Sequence, residues 1–182
     1  FGDKKTDAEI DKIAKTSMQG VVKTAFEFLW IPKISKATDR YIAMEGEHNV
    51  WEALDQKKGL IFVISHFGSW EFMAISAGFK GFPLYGIGKP VKNPFIYKEM
   101  EKLRAATGMG NIDKKGAVRA TVRHLKQNKI IAVLIDQHAK EAGVWVDFFG
   151  HKAKTSSFPA TLALRLDTPV IPCFLPRNKK FP

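Results

Sequence analysis

The sequence predicts an α/β layer fold with a largely parallel central sheet flanked by helices. Two apolar runs of strand length, Leu60 to Ile64 and Ile130 to Ile135, sit among segments whose apolar residues recur at helical spacing. The runs are continuous rather than alternating, as strands covered on both faces are. With 182 residues, 45% hydrophobic and 26% charged, the chain is long enough for one domain with its own core and lies outside the compositions of disordered or low-complexity proteins.

Thr6 followed by Glu9 forms a capping-box pattern, and Ile10, Ile13, Ala14, Ser17, Val21, Ala25 and Leu29 continue a helix that Pro32 closes. Arg40 to Met44 reads as a strand, and Val50, Trp51 and Leu54 mark a short amphipathic helix ending at Lys57-Lys58-Gly59. The buried strand Leu60 to Ile64 leads through Ser65 into a helix over Trp70 to Ala77, then a short strand at Leu84 to Ile87. Asn93 and Pro94 supply a cap and first turn for a helix carrying Ile96, Met100 and Leu103, which stops near Gly108. A helix over Gly116 to Gln127 places Val118, Val122 and Leu125 on an apolar face beside a basic stripe of Arg119, Arg123 and Lys126. Ile130 to Ile135 is a second buried strand, Val144 to Phe149 a third, Ser157 to Leu166 a helix, and Val170 to Leu175 a last strand broken by Pro172.

Charge and composition narrow the function. The 29 Lys and Arg against 18 Asp and Glu give a net charge of +11, which points to an anionic partner: nucleic acid, a membrane surface or an acidic protein. There is no recognisable nucleic-acid module or basic motif interleaved with aromatics, so nucleic acid ranks last. The single cysteine, Cys173, excludes an intramolecular disulfide and lies among apolar residues as a packed thiol. No apolar run approaches the ~20 residues of a membrane-spanning helix. Gly-x-Ser-x-Gly, phosphate-binding glycine loops and His-Glu-x-x-His are all missing, and the five histidines are dispersed, so a metal site is not expected.

The segment Ser65-His66-Phe67-Gly68-Ser69-Trp70-Glu71 falls where a buried strand becomes a helix, and ligands of open parallel sheets bind at the carboxyl ends of the strands. Gly68 permits a tight turn that can bring Glu71 back to one nitrogen of His66. That pairing would fix the imidazole tautomer and free the other nitrogen to take a proton from a hydroxyl; the same segment also suits a structural turn with a hydrogen-bonded core histidine. Asp136-Gln137 ends a second buried strand, where it either shares a cleft with His66 or caps its loop. Arg104 either holds an anionic head group or solvates its helix, and the Arg119 stripe either meets an anionic partner or is a solvated face.

The His-x4-Glu segment resembles that of the bacterial lipid A late acyltransferases, the lauroyl and myristoyl transferase family within the lysophospholipid acyltransferase superfamily. Further matches occur in order: Glu45-Gly46-Glu47 with Leu54 and Gly59-Leu60-Ile61, Lys89-Pro90 with Asn93-Pro94, Arg104 with Gly108, Asp136-Gln137, Phe148-Phe149-Gly150 with Thr155, and Thr168-Pro169-Val170-Ile171-Pro172. The family usually has Asn at the place of Ser69 and Arg at that of Lys89; Lys keeps the charge but not the planar fork that grips a phosphate bidentately.

The resemblance implies a single acyltransferase domain over residues 1–182, expected to be a piece lacking an N-terminal membrane anchor and a C-terminal part. It implies transfer of a fatty acyl group from acyl carrier protein or acyl coenzyme A to a hydroxyl of a lipid A precursor, with no bound cofactor. In this reading His66 is the general base and Glu71 its partner, while Lys89, Arg104, Arg119, Asp136 and Gln137 bind substrate. Acyl carrier protein, an anionic lipid acceptor and the cytoplasmic face of an inner membrane are the implied partners and location. The alternatives are another glycolipid or lysophospholipid as acceptor, or a non-catalytic basic module that binds membranes.

Overall fold

The computed structural model describes residues 4–34, 38–88 and 91–177. Helix α1 (Asp7–Leu29) opens on the expected capping box, with Thr6 accepting from the Glu9 backbone and Glu9 reaching back to Thr6. Short helical segments α2 (Ile31–Ile34) and α3 (Thr38–Tyr41) follow, then α4 (Glu47–Asp55). The strand expected over Arg40 to Met44 is therefore not formed: α3 ends at Tyr41 and residues 42–45 are irregular. Pro32 lies inside α2, in the first turn, where a missing N–H costs nothing.

The core elements are β1 (Leu60–Ile64), α5 (Trp70–Phe79), β2 (Leu84–Gly88), α6 (Pro94–Ala105), β3 (Gly110–Asp113), α7 (Ala117–Lys126) and β4 (Ile130–Leu134). They are followed by β5 (Gly143–Phe148), β6 (His151–Ser156), α8 (Phe158–Leu166) and β7 (Val170–Pro172). Five strands form one parallel sheet in the order β3-β2-β4-β1-β7. The fold class is the one the alternation of strands and helices predicts. Two further departures concern strands. Val144 to Phe149 is neither buried nor part of this sheet; β5 and β6 make a separate antiparallel hairpin on which Trp145, Phe148 and Phe149 are exposed. The edge strand β3 was not expected, because Gly108-Met109-Gly110 reads as a turn and Ile112 is its one buried side chain.

Alternate residues of the central strands face opposite layers. Leu60, Phe62, Ile64, Ile130 and Ala132 pack with Leu54 of α4 and Ala74 and Ala77 of α5. Ile61, Ile131 and Val133 pack with Leu125 of α7 and Leu162 of α8. Outside α5, Phe28 and Ile31 close over Ile75 with Met100 and Leu103 of α6. The chain moves one way along the sheet from β1 through β2 to β3, with α5 and α6 on one side. It returns from β3 to β4 and on to β7 with α7 and α8 on the other, as a constant crossover hand requires. On α7 the buried positions are Thr121 and Leu125, whereas Val118, expected on the apolar face, is exposed.

Ile61 is fully buried and lies between Ile131 and Val170 in the sheet register. Ile61→Ala is expected to cost about 2–5 kcal/mol and Ile61→Val about 0.5–1.5 kcal/mol, because truncation leaves a cavity in the middle strand layer. Urea unfolding should show lowered midpoints with unchanged slope; a midpoint for Ile61→Ala equal to wild type would contradict this packing.

Candidate active site

Strands β1 and β4 are neighbours, yet the chain leaves β1 toward α5 on one face and leaves β4 toward the hairpin and α8, whose helix packs on the other. Such a parting of connections opens a crevice at the carboxyl ends of the strands. The ladder pairs Ile64 with Leu134, and the Ile135 amide continues it by donating to the Ile64 carbonyl at 3.2 Å. Two residues past the ladder, His66 stands opposite Asp136. The Asp136 carboxylate accepts the His66 backbone N–H through Oδ2 at 2.8 Å and meets the ring Nδ1 through Oδ1 at 2.8 Å.

An ionised carboxylate can only accept, so Nδ1 carries the hydrogen, and in the neutral ring the lone pair then lies on Nε2. Nε2 has no hydrogen-bond partner among the described residues, and about a third of the His66 side chain is exposed. Trp70 lies edge-on to the imidazole at 5.0 Å between centroids. The arrangement fixes the tautomer of the neutral imidazole, leaves Nε2 open to a bound hydroxyl, and sets an acid behind the ring that can stabilise the imidazolium.

Glu71 does not complete this pair. Its Oε1 accepts from Arg104 NH2 at 2.8 Å, with both side chains mostly buried at 21% and 16% exposure. Arg104 also lies 3.8 Å from Glu101 and stacks over Phe28, which ties α6 to α5 and α1. Glu71 and Arg104 border a small recess with Trp70, Gly88 and Asn111. The expectation that Glu71 turns back onto His66 is thus replaced by two pairs, His66 with Asp136 and Glu71 with Arg104. A carboxylate one helical turn from the strand end is within reach of α6, where a largely buried guanidinium has to be neutralised.

Of the other residues expected to bind substrate, Gln137 is exposed beside Asp136, and Arg119 is exposed on α7, without an ion-pair partner among the described residues. Lys89 lies outside the described residues. Beneath the crevice, a cavity of about 230 Å³ runs between α4, α5 and the sheet, walled by Val50, Phe62, Ile64, Met73, Ala77 and Cys173. Burial pushes the Cys173 thiol up to about 11, so it is a packing group and not a thiolate at neutral pH. No three His, Cys, Asp or Glu side chains among the described residues are grouped to hold a metal ion, and none of the described helices is long and apolar enough to cross a membrane.

Sequence reasoning missed a second polar layer around the turn. Glu27 of α1 accepts from Arg177 and from the Ser69 hydroxyl. Burial alone would raise its carboxyl, but the Arg177 and Ser69 hydrogen bonds and the Arg177 and Lys23 charges outweigh that and leave it below the ordinary glutamate value. A glutamate on the helical stripe of α1 carries no local signal of a partner 150 residues away.

A parallel sheet with an acid-paired histidine in its crevice is an arrangement able to take a proton from a bound group. The chain belongs to the bacterial lipid A biosynthesis acyltransferase family, whose model matches residues 1–181. It is also similar to the phosphatidylinositol mannoside acyltransferase of Mycobacterium tuberculosis, in strains CDC 1551 / Oshkosh and ATCC 25618 / H37Rv, at 22% identity over 144 residues. That match covers 77% of this chain and 45% of the relative, so the chain spans less than half the length of the curated relatives it matches.

The Glu71–Arg104 pair yields a stability prediction. Glu71→Ala and Arg104→Ala should each cost about 1–3 kcal/mol, because Arg104→Ala leaves Glu71 without its partner and Glu71→Ala leaves the largely buried Arg104 only the longer contact to Glu101. The double variant should cost less than the sum. Additive losses in chemical denaturation would show that the two side chains do not depend on each other.

Proposed function

We propose that the protein is an acyltransferase that moves a fatty acyl group from a carrier thioester to a hydroxyl of a glycolipid, a lipid A precursor being the leading acceptor. The observation that carries this reading is the His66 imidazole held at Nδ1 by Asp136 with Nε2 open. Nε2 takes the proton of the acceptor hydroxyl as its oxygen attacks the thioester carbonyl. The tetrahedral adduct then collapses with cleavage of the C–S bond, and the imidazolium returns the proton to the leaving thiolate. No acyl-enzyme is required, in keeping with the inert Cys173.

The apolar cavity beneath the crevice suits the acyl chain. Glu71 acts by holding Arg104 at the recess beside the site, where Arg104 and Lys89 would meet anionic parts of donor or acceptor. Gln137, exposed next to Asp136, would hydrogen-bond the bound substrates. A glycolipid acceptor is favoured by the family and by the printed activity of the mycobacterial relative, which names phosphatidylinositol mannoside rather than lipid A.

In the full-length protein, His66→Ala should lower turnover about 10²–10⁴-fold, the usual contribution of a general base. Asp136→Asn should also be strongly impaired, since the amide cannot stabilise the imidazolium and can hold the ring in the wrong tautomer. Mass spectrometry of products from acyl carrier protein and coenzyme A thioesters, with lipid A precursor, phosphatidylinositol mannoside and lysophospholipid as acceptors, identifies the substrates. Near-normal transfer by His66→Ala would remove the base assignment and leave the basic membrane-binding module as the better reading.

The exposed stripe of Arg119, Arg123 and Lys126 on α7 would bring the enzyme to an anionic lipid surface or to acyl carrier protein at the cytoplasmic face of the inner membrane. Exposed charges act over about a Debye length, ~8 Å at physiological salt. Replacing all three by Gln should therefore weaken binding to anionic vesicles or to the carrier and remove most of its salt dependence, with thermal stability unchanged. Unaltered affinity and salt slope for both partners would make the stripe an ordinary solvated face.

A further inference from the structure

A polar cluster behind the crevice joins three parts of the chain that are far apart in sequence: α1, the turn between β1 and α5, and the segment after β7. Arg177 grips Glu27 with two nitrogens, Nε to Oε1 at 2.7 Å and NH2 to Oε2 at 2.9 Å. The same NH2 reaches Thr24 Oγ1 at 2.7 Å and the Gly20 carbonyl at 3.3 Å. The Ser69 hydroxyl donates to Glu27 Oε2, and the Thr24 hydroxyl lies 3.3 Å from the Gly68 carbonyl. Ser69 and Thr24 are each only 3% exposed.

The turn that this cluster touches has little freedom on its other side. The Ser69 amide donates to the Leu175 carbonyl at 3.1 Å, and Gly68 has φ +64° with its α-carbon packed so closely that a Cβ would lie 2.0 Å from the Leu175 oxygen. Residues 68 and 69 are thus pinned by backbone from one side and by Glu27 and Thr24 from the other, two to three positions from His66.

Stability alone is a poor reason for such an arrangement. A partly buried ion pair adds little net stability once its desolvation is counted, and Phe28 and Ile31 already pack the end of α1 and α2 onto α5. What an ionic fork adds is direction: the two guanidinium nitrogens fix the carboxylate plane, and the carboxylate in turn fixes the Ser69 hydroxyl.

We propose that Glu27 is a positioning residue for His66: gripped by Arg177, it accepts the Ser69 hydroxyl and so fixes the turn from which the imidazole reaches Asp136. The inference rests on the reading of His66 as the base. It assigns Ser69 the task of hydrogen-bond donor, which an Asn at the same place would also fill through its amide. Arg177 becomes part of the same device although it lies 111 positions beyond His66 in the chain.

The test compares full-length wild type with Glu27→Gln, Ser69→Ala, Ser69→Asn and the double variant Glu27→Gln/Ser69→Ala. The nitrogen-15 NMR spectrum of the His66 imidazole reports its tautomer without need of turnover. Thiol release from palmitoyl-coenzyme A in the presence of phosphatidylinositol mannoside vesicles gives kcat and KM. Glu27→Gln and Ser69→Ala should each mix the His66 tautomers and lower kcat about tenfold at unchanged KM, a misplacement effect well within the ~10²-fold known for about 1 Å. The double variant should be no worse than the poorer single one, and Ser69→Asn should keep both the spectrum and kcat.

An unchanged His66 spectrum in Ser69→Ala overturns the proposal, as do losses that multiply in the double variant. Where Glu27→Gln fails to fold, Ser69→Ala against Ser69→Asn decides, because Asn restores a hydrogen-bond donor that Ala lacks: equal spectra for the two overturn the positioning role. His66→Ala measured alongside separates the two claims. Its full turnover would remove the base assignment, and Glu27 would then have no base to position, whereas a dead His66→Ala with an intact His66 spectrum in Ser69→Ala removes only the role of Glu27.

Discussion

The parallel register of β1 against β4 is the constraint on which the site depends. Leu60 pairs with Ile130 and Ile64 with Leu134, and the same offset carried two residues further sets His66 against Asp136. The register is itself fixed by burial. Leu60, Ile61, Ile130 and Ile131 are all fully buried, and a slip by one residue would exchange the side chains facing α5 with those facing α7 and α8. Core packing in two layers therefore sets a 2.8 Å contact between polar groups that lie outside the ladder.

The two carboxylates near His66 illustrate how a burial demand divides labour. Glu71 and Asp136 can both be drawn toward an imidazole on spacing alone, but they face different cations. Arg104 is 16% exposed and needs a counter-charge inside the protein, and Glu71 in the first turn of α5 supplies it. Asp136, more exposed and directly opposite β1, is left for His66, where it also holds the backbone N–H of the same residue. A histidine whose main chain and ring are both tied to one carboxylate has its orientation set at two points rather than one.

These contrasts show what a one-dimensional reading can reach. Strands β1 and β4, the capping box of α1 and the Asn93–Pro94 start of α6 were legible because their signals are local: a buried apolar run, a hydroxyl three residues before a glutamate, a cap before a proline. The histidine at the end of β1 and the acid at the end of β4 were legible as candidates for the same reason. Their pairing was not, since it depends on which strands are neighbours. β3 was hidden because Gly110 is there to admit the Tyr85 ring, which a Cβ would meet at 2.2 Å, and a glycine-flanked polar tetrapeptide resembles a turn. The hairpin was misplaced because Val144 to Phe149 has the composition of a buried strand, while its aromatic side chains are exposed. Glu27 and Arg177 stood out in neither composition nor motif; their partnership exists only once the ends of the described chain meet across α5.

Among the described residues, the acids near the crevice are paired and a stripe of positive charge is exposed on α7. Each acid close to the turn has its own partner: Asp136 the imidazole, Glu71 a guanidinium on α6, Glu27 a guanidinium beyond β7. The local charges are thus largely balanced where geometry matters. The arginines and lysine of α7 project into solvent on the sheet's other face, away from α5. The Glu71–Arg104 pair is largely shielded from water and feels little screening, whereas exposed charges lose their reach within a Debye length. Under the proposed function, salt would therefore act on encounter with an anionic partner through the exposed α7 stripe, on the layer of the sheet opposite α5, while His66 is held by two hydrogen bonds to Asp136.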